Sequence, residues 1–223
     1  MRVSNWFVVI TAVFVTCLLT ANIIAVKLVQ MGGLAFPAGL VVFPLSYLFA
    51  DVLTEVYGYR QMRRVIWLGF FCNLILVLAI YAGQTLPPAA FWDGQEAYET
   101  ILGYTPRLLV ASFAGYLVGS FANSYVLAKM KIATRGRWLW SRTIGSTIVG
   151  EGLDSIVFIA VAFGGGLPLL ALLTIMVTQW ALKVAYEVIA TPFTYWMVSR
   201  LKSVEGLDTY DVTTKFNPVR FAD

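Results

Sequence analysis

The chain has 223 residues, 59% of them hydrophobic and 13% charged, with a net charge of +4 and no histidine. That is enough for one ordinary domain, but soluble domains carry about a quarter of their residues as charges, so a water-soluble globule is excluded. The missing imidazole also removes Ser-His and Cys-His catalysis, histidine metal sites and histidine proton relays.

Several apolar stretches approach the ~20 residues needed to cross a bilayer core. The expected fold is all-α: a polytopic membrane protein, one integral membrane domain over 1–223, with six transmembrane helices near 6–26, 35–57, 65–83, 107–128, 142–163 and 169–200. The first stretch, "MRVSNWFVVITAVFVTCLLTANIIAVK", has a longer apolar core than a signal peptide and lacks a small-x-small cleavage site, so it reads as a retained span. The second ends in "FADVLTEVYGYRQMRR", which puts Asp51 and Glu55 four residues apart ahead of Arg60, Arg63 and Arg64. Cys17 and Cys72 fall inside the first and third spans and read as packing residues rather than a disulfide. The fourth span holds Gly115-x-x-x-Gly119 with Ala111 one turn earlier, small residues that let helices approach closely within the bundle. The last is too long for a straight crossing, since ~30 residues at 1.5 Å each give ~45 Å. It tilts, projects from the membrane, or begins as a separate short segment near 169–178, with Gly164–Gly166, Pro168 and Pro192 favouring breaks.

Loop charges set the orientation. With the N-terminus inside, the inner side holds Arg2, Arg60, Arg63, Arg64, Lys129, Lys131, Arg135, Arg137, Arg142, Arg200, Lys202, Lys215 and Arg220, thirteen of the sixteen basic residues. The 84–106 loop carries Asp93, Glu96 and Glu99 and no basic residue. Both termini are therefore expected in the cytoplasm. The positive charge reports this asymmetry and not a nucleic-acid footprint, so the lipid bilayer is an expected partner and nucleic acid is not.

The spans enclose Asn22, Asp51, Glu55, Asn73, Asn123, Glu151, Asp154, Gln179, Lys183 and Glu187. An ionised group at a helix centre costs roughly 2.5–3.5 kcal/mol on insertion scales, so these groups must face one another, water or a ligand. An internal polar cavity follows. Glu151 and Asp154 share one face at i, i+3. Lys183 and Glu187 stand at i, i+4 and could instead neutralise each other, just as Glu55 could pair with Arg60, Arg63 or Arg64. Five carboxylates against one ammonium leave an excess suited to protons, a coupling cation or a donor-rich solute. A carboxylate receives two parallel N–H donors, the pattern offered by the amide and amine edge of a guanine-like base, and Tyr47, Trp180 or Tyr186 could stack on such a ring. No catalytic constellation, metal-ligand set or cofactor motif is visible. The Walker A pattern is absent, so the chain is not expected to hydrolyse ATP itself.

"FPLSYLFADVLTEVYGYRQMRRVIWLGF" (43–70), "EGLDSIVF" (151–158), "QWALKVAYEVIATPFTYW" (179–196) and "YDVTTKFNP" (210–218) together resemble, in collinear order, the queuosine-precursor transporter family. The 84–106 loop has no counterpart in that resemblance. It implies the six-helix fold of the substrate-binding components of energy-coupling-factor vitamin transporters. It also implies import of a deazapurine base, 7-cyano-7-deazaguanine or a related 7-deazaguanine, across the bacterial inner membrane for queuosine salvage. Carried onto this chain, the implied functional positions are Asp51 and Glu55, Glu151 and Asp154, and Gln179, Lys183 and Glu187. Asp51, Glu151, Asp154, Gln179, Lys183 and Glu187 are taken as substrate-binding, and Glu55, Asn22, Asn73 and Asn123 as structural or gating. A partner ATPase or a homo-oligomer is compatible with the sequence but not indicated by it. Two other classes stay open: an intramembrane two-aspartate protease using Asp51 and Asp154, and a scaffold whose polar residues only specify helix packing.

Overall fold

A computed structural model describes residues 4–31, 34–103, 106–166 and 168–220. Helix α1 (Asn5–Ile24) begins where Ser4 Oγ accepts from the Phe7 amide at 3.0 Å, an N-cap that satisfies one of the free donors of the first turn. A short antiparallel hairpin follows, β1 (Leu28–Met31) and β2 (Leu34–Pro37), with Leu28 opposite Pro37. A single 3-10 turn, Ala38–Val41, leads into α2 (Phe43–Tyr57), which carries Pro44 in its first turn where no amide donor is needed. Residues 35–42 are therefore not α-helical, and within the expected 35–57 span the α-helix is the 15-residue Phe43–Tyr57, preceded by the hairpin and the 3-10 turn. Such a helix is about 22 Å long, shorter than the ~30 Å hydrocarbon core.

Gly58, at φ +83°, separates α2 from α3 (Tyr59–Thr85). A side chain there would meet Asp211 and Thr209 as well as an unfavourable backbone region. The short α4 (Gln95–Leu102) lies in the connection that follows. Then come α5 (Pro106–Ala133), α6 (Leu139–Phe163) and α7 (Leu169–Glu205). The last runs unbroken through Pro192 for 37 residues, about 56 Å, so it projects beyond a bilayer core and does not start as a separate segment. Among the described residues, five helical stretches, those that contain α1, α3, α5, α6 and α7, are long and apolar enough to cross a membrane. The chain is an all-α polytopic membrane protein.

The helices alternate in direction. Ser4 meets Tyr57, the Tyr59 amide donates to Asp211 at 2.8 Å, and Lys131, Arg142 and Lys202 all reach Glu55. One end of the bundle thus gathers the starts of α1, α3 and α6 and the ends of α2, α5 and α7. The C-terminal segment folds back onto this end: Arg63 donates to the carbonyls of Lys215 and Asn217, and Trp67 to that of Pro218. At the opposite end Arg107, near the start of α5, donates to the carbonyls of Val161 and Gly164.

Eleven of the fifteen α2 residues are buried, Asp51 and Glu55 among them. This helix is the axis around which the longer ones pack, and their outer faces present Leu68, Phe71, Ile75, Ile156 and Ile189 to the surroundings. The small residues of α5 seat it against α6. A Cβ at Gly119 would lie 2.7 Å from the Cβ of Asp154 and 3.0 Å from the Gly150 carbonyl, and one at Gly150 would lie 2.6 Å from the Cβ of Asn123. The G-x-x-x-G motif therefore serves packing within the chain and fixes how closely Asp154 approaches α5.

Candidate functional site

The half of the bundle away from the basic end contains a cavity of about 430 Å³, bordered by α1, α2, α3, α5, α6 and α7. Its charged groups converge on Lys183. The ammonium lies 2.6 Å from Asp154 Oδ2 and 2.8 Å from Glu151 Oε2, and 5.5 Å from the centroid of the Tyr47 ring. Gln179 sits one turn before Lys183 on α7 and also borders the space. Two carboxyls share one ammonium, so the cluster holds one more acidic group than basic. Glu151 is 4% exposed.

The side walls were less legible. Asn22 Nδ2 donates to Asn73 Oδ1 at 3.3 Å, joining α1 to α3, and both residues border the cavity. Ser112, Ser120 and Thr178 add hydroxyls, and Tyr116, whose own hydroxyl donates to the Ile66 carbonyl at 3.0 Å, adds a ring. The only sequence signal for these is a helical spacing of small hydroxyl residues along an apolar helix, which packing alone also explains. Phe43 stacks on Tyr47 with centroids 6.3 Å apart, and Phe113 and Phe158 supply further flat apolar surface. Of the aromatic candidates, Tyr47 reaches the cavity. Trp180 and Tyr186 do not border it, and the Trp180 indole donates to the Ile148 carbonyl at 3.0 Å.

Other expected site residues lie elsewhere. Asp51 and Glu187, grouped on sequence with the ligand-binding positions, do not border the cavity; both are buried away from its wall, and Asn123 Nδ2 donates to Asp51 Oδ1 at 2.6 Å. Lys183 does not pair with Glu187, because its ammonium is turned across the bundle toward α6. Glu55 does not pair with Arg60, Arg63 or Arg64 either. It receives a bidentate Arg142, Nε to Oε2 and Nη2 to Oε1 both at 2.8 Å, together with Lys202 at 2.6 Å and Lys131 at 3.4 Å. Asp208 completes this basic-end cluster, 2.6 Å from Lys131 and 2.7 Å from Lys202. Burial alone would raise the Asp208 carboxyl, but its hydrogen bonds to the two lysines outweigh that and hold it below the usual carboxylate value. Asp51 and Asp154 bond Asn123 and Lys183 respectively and share no hydrogen-bonding partner among the described residues, which is not the arrangement of a catalytic aspartate dyad. Among the described residues no cluster of three acidic or cysteine side chains forms a metal-holding set.

Residues 37–197 match the family described as "Putative vitamin uptake transporter". The chain belongs to this family. A relative from Bacillus subtilis (strain 168), named "Probable queuosine precursor transporter", is 34% identical over 78% of the chain and 77% of its own length. The "Queuosine precursor transporter" of Escherichia coli (strain K12) is 26% identical over 54% of the chain and 52% of its own length. A Haemophilus influenzae relative with the name "Probable queuosine precursor transporter" is 26% identical over 56% of the chain and 51% of its own length. No solved structure matches. The matched region begins at the foot of β2 and ends within α7, so it includes Glu151, Asp154, Gln179 and Lys183 and leaves out the Asn22 wall of α1.

Proposed function

We propose that this family member imports a queuosine precursor, 7-cyano-7-deazaguanine or a related 7-deazaguanine base, through the cytoplasmic membrane for salvage, with the basic end of the bundle and both chain ends in the cytoplasm. The observation that carries the reading is the Glu151–Lys183–Asp154 cluster at one side of a cavity of about 430 Å³, within the usual size range of small-molecule sites. In this reading the carboxylates accept from the ring N–H and exocyclic amine of the base, while Lys183 donates to its carbonyl oxygen. Gln179, Asn22 and Asn73 offer both donors and acceptors to the remaining edge. The flat ring lies against Tyr47 and the phenylalanines. The family and the relatives named as transporters support transport as the role of this site. A pure scaffold would have no use for a cavity lined by charges.

Two measurements test this. Titration of the purified protein with 7-cyano-7-deazaguanine gives saturable binding that guanosine does not match, and Glu151→Gln and Lys183→Met weaken it. In cells unable to make the precursor, deletion of this chain lowers queuosine in tRNA when the base is supplied in the medium. Unchanged queuosine content after deletion refutes the import reading.

A further inference from the structure

Between the cavity and the basic end lie buried polar groups that do not border the cavity. Asp51 on α2 is 0% exposed and Glu187 on α7 is 2% exposed. Among the described residues, Asp51 Oδ2, Glu187 Oε1 and Asn123 Oδ1 are buried without a hydrogen-bonding partner. Asn123 is itself more than nine-tenths buried, and its amide donates to Asp51 Oδ1. The charges that act most strongly on Asp51 are Glu187 from α7, Glu151 from α6 and Glu55 from its own helix, while α5 offers the neutral Asn123; Glu151 also acts on Glu187. These principal charges acting on the two carboxyls are all negative. The flanking cations are already engaged: Lys183 with Glu151 and Asp154 on one side, Arg142, Lys131 and Lys202 with Glu55 and Asp208 on the other.

Two buried carboxyls that repel one another in an apolar interior without a cation do not both ionise. We propose that Asp51 and Glu187 form a proton-binding site that couples import to proton entry, and this rests on the import reading above. The proton is taken up when the cavity side is open to the outer solution. It is bound between the two carboxyls, with Asn123 holding Asp51 in place through Oδ1. It leaves toward the basic end, where Glu55 lies one helical turn further along α2. The step is a proton association and dissociation and requires no other reactant.

The test uses the full chain in proteoliposomes with labelled 7-cyano-7-deazaguanine as probe. An inside-alkaline pH gradient drives accumulation, and for one proton per base each pH unit supports about a tenfold accumulation ratio, since a tenfold ratio and one pKa unit are the same free energy. Addition of the base to protein-loaded vesicles acidifies the lumen. Asp51→Asn and Glu187→Gln bind the base within threefold of wild type and still exchange it across the membrane, but their accumulation ratio falls to one whatever the gradient. Gradient-independent uptake by the wild type, dependence on a sodium gradient alone, or gradient-driven accumulation retained by both variants overturns the coupling while leaving the import reading intact. Failure of the wild type to bind the base instead removes the import reading. If one variant does not fold, as judged by loss of binding, the other variant and the wild-type lumen acidification decide.

Discussion

Replacing Arg142 with methionine separates structural charge from ligand-binding charge. Arg142 is 1% exposed and Glu55 0% exposed, and the two are joined by hydrogen bonds of 2.8 Å and 2.8 Å, with Arg142 also donating to the Arg137 carbonyl at 2.6 Å. Removing one partner of a fully buried ion pair costs about 3–5 kcal/mol because the other charge is stranded. Here Glu55 keeps Lys202 at 2.6 Å and Lys131 at 3.4 Å, so it is not stranded. The loss reduces to two charge-assisted hydrogen bonds partly replaced by Lys202, which we place at about 2–3 kcal/mol. The methionine stem keeps most of the apolar packing of arginine. The assay is reversible unfolding by SDS in mixed micelles, followed by circular dichroism. A double-mutant cycle with Glu55→Met should give a coupling of at least about 1.5 kcal/mol, because two apolar residues in place of a buried pair are close to neutral. Folded Arg142→Met should bind the base within threefold of wild type, since neither member of the pair borders the cavity. A destabilisation under about 0.5 kcal/mol, or a large loss of affinity in the folded protein, would refute the assignment of Glu55 to the structural cluster.

Lys183→Met or Glu151→Gln removes one charge-assisted hydrogen bond to the ligand, about 1.5–3 kcal/mol, so the Kd measured by titration rises roughly 10- to 150-fold. Gly119→Val loses no polar group, yet its Cβ would meet Asp154 at 2.7 Å and the Gly150 carbonyl at 3.0 Å. Overpacking of this kind costs typically about 1–3 kcal/mol, and the displaced Asp154 should weaken binding measurably in the same titration; unchanged affinity would mean that Asp154 does not need its seat on α5. Asp208 is depressed in the folded chain, so its contribution is present above the unfolded value near about 3.9 and is lost as pH falls through the lower folded value. Asp208→Asn should flatten the acid limb of an SDS-stability profile and leave the neutral-to-alkaline limb unchanged in shape.

The sequence alone determined the solvent of this protein. Its apolar composition admits only a membrane-embedded helical bundle, and the cost of lipid-facing charge required that the ten polar positions turn inward. The basic loops foretold which helix ends gather together, because chain direction alternates from one long apolar stretch to the next. The ordered motifs from 43 to 218 identified the family. Tertiary structure decided what local spacing could not. Lys183 has Glu187 one turn away on its own helix, and Glu55 has three arginines close behind it. Yet each pairs across the bundle, Lys183 with Glu151 and Asp154, Glu55 with Arg142 and Lys202. In a low-dielectric interior a charge is best satisfied where several groups converge, and convergence depends on how helices are rotated and seated, here by Gly115, Gly119 and Gly150. The same packing leaves Asp51 and Glu187 buried away from the cavity wall. It also draws Asn22 and Asn73 to the front, two neutral amides 51 residues apart whose meeting no periodicity in the sequence encodes.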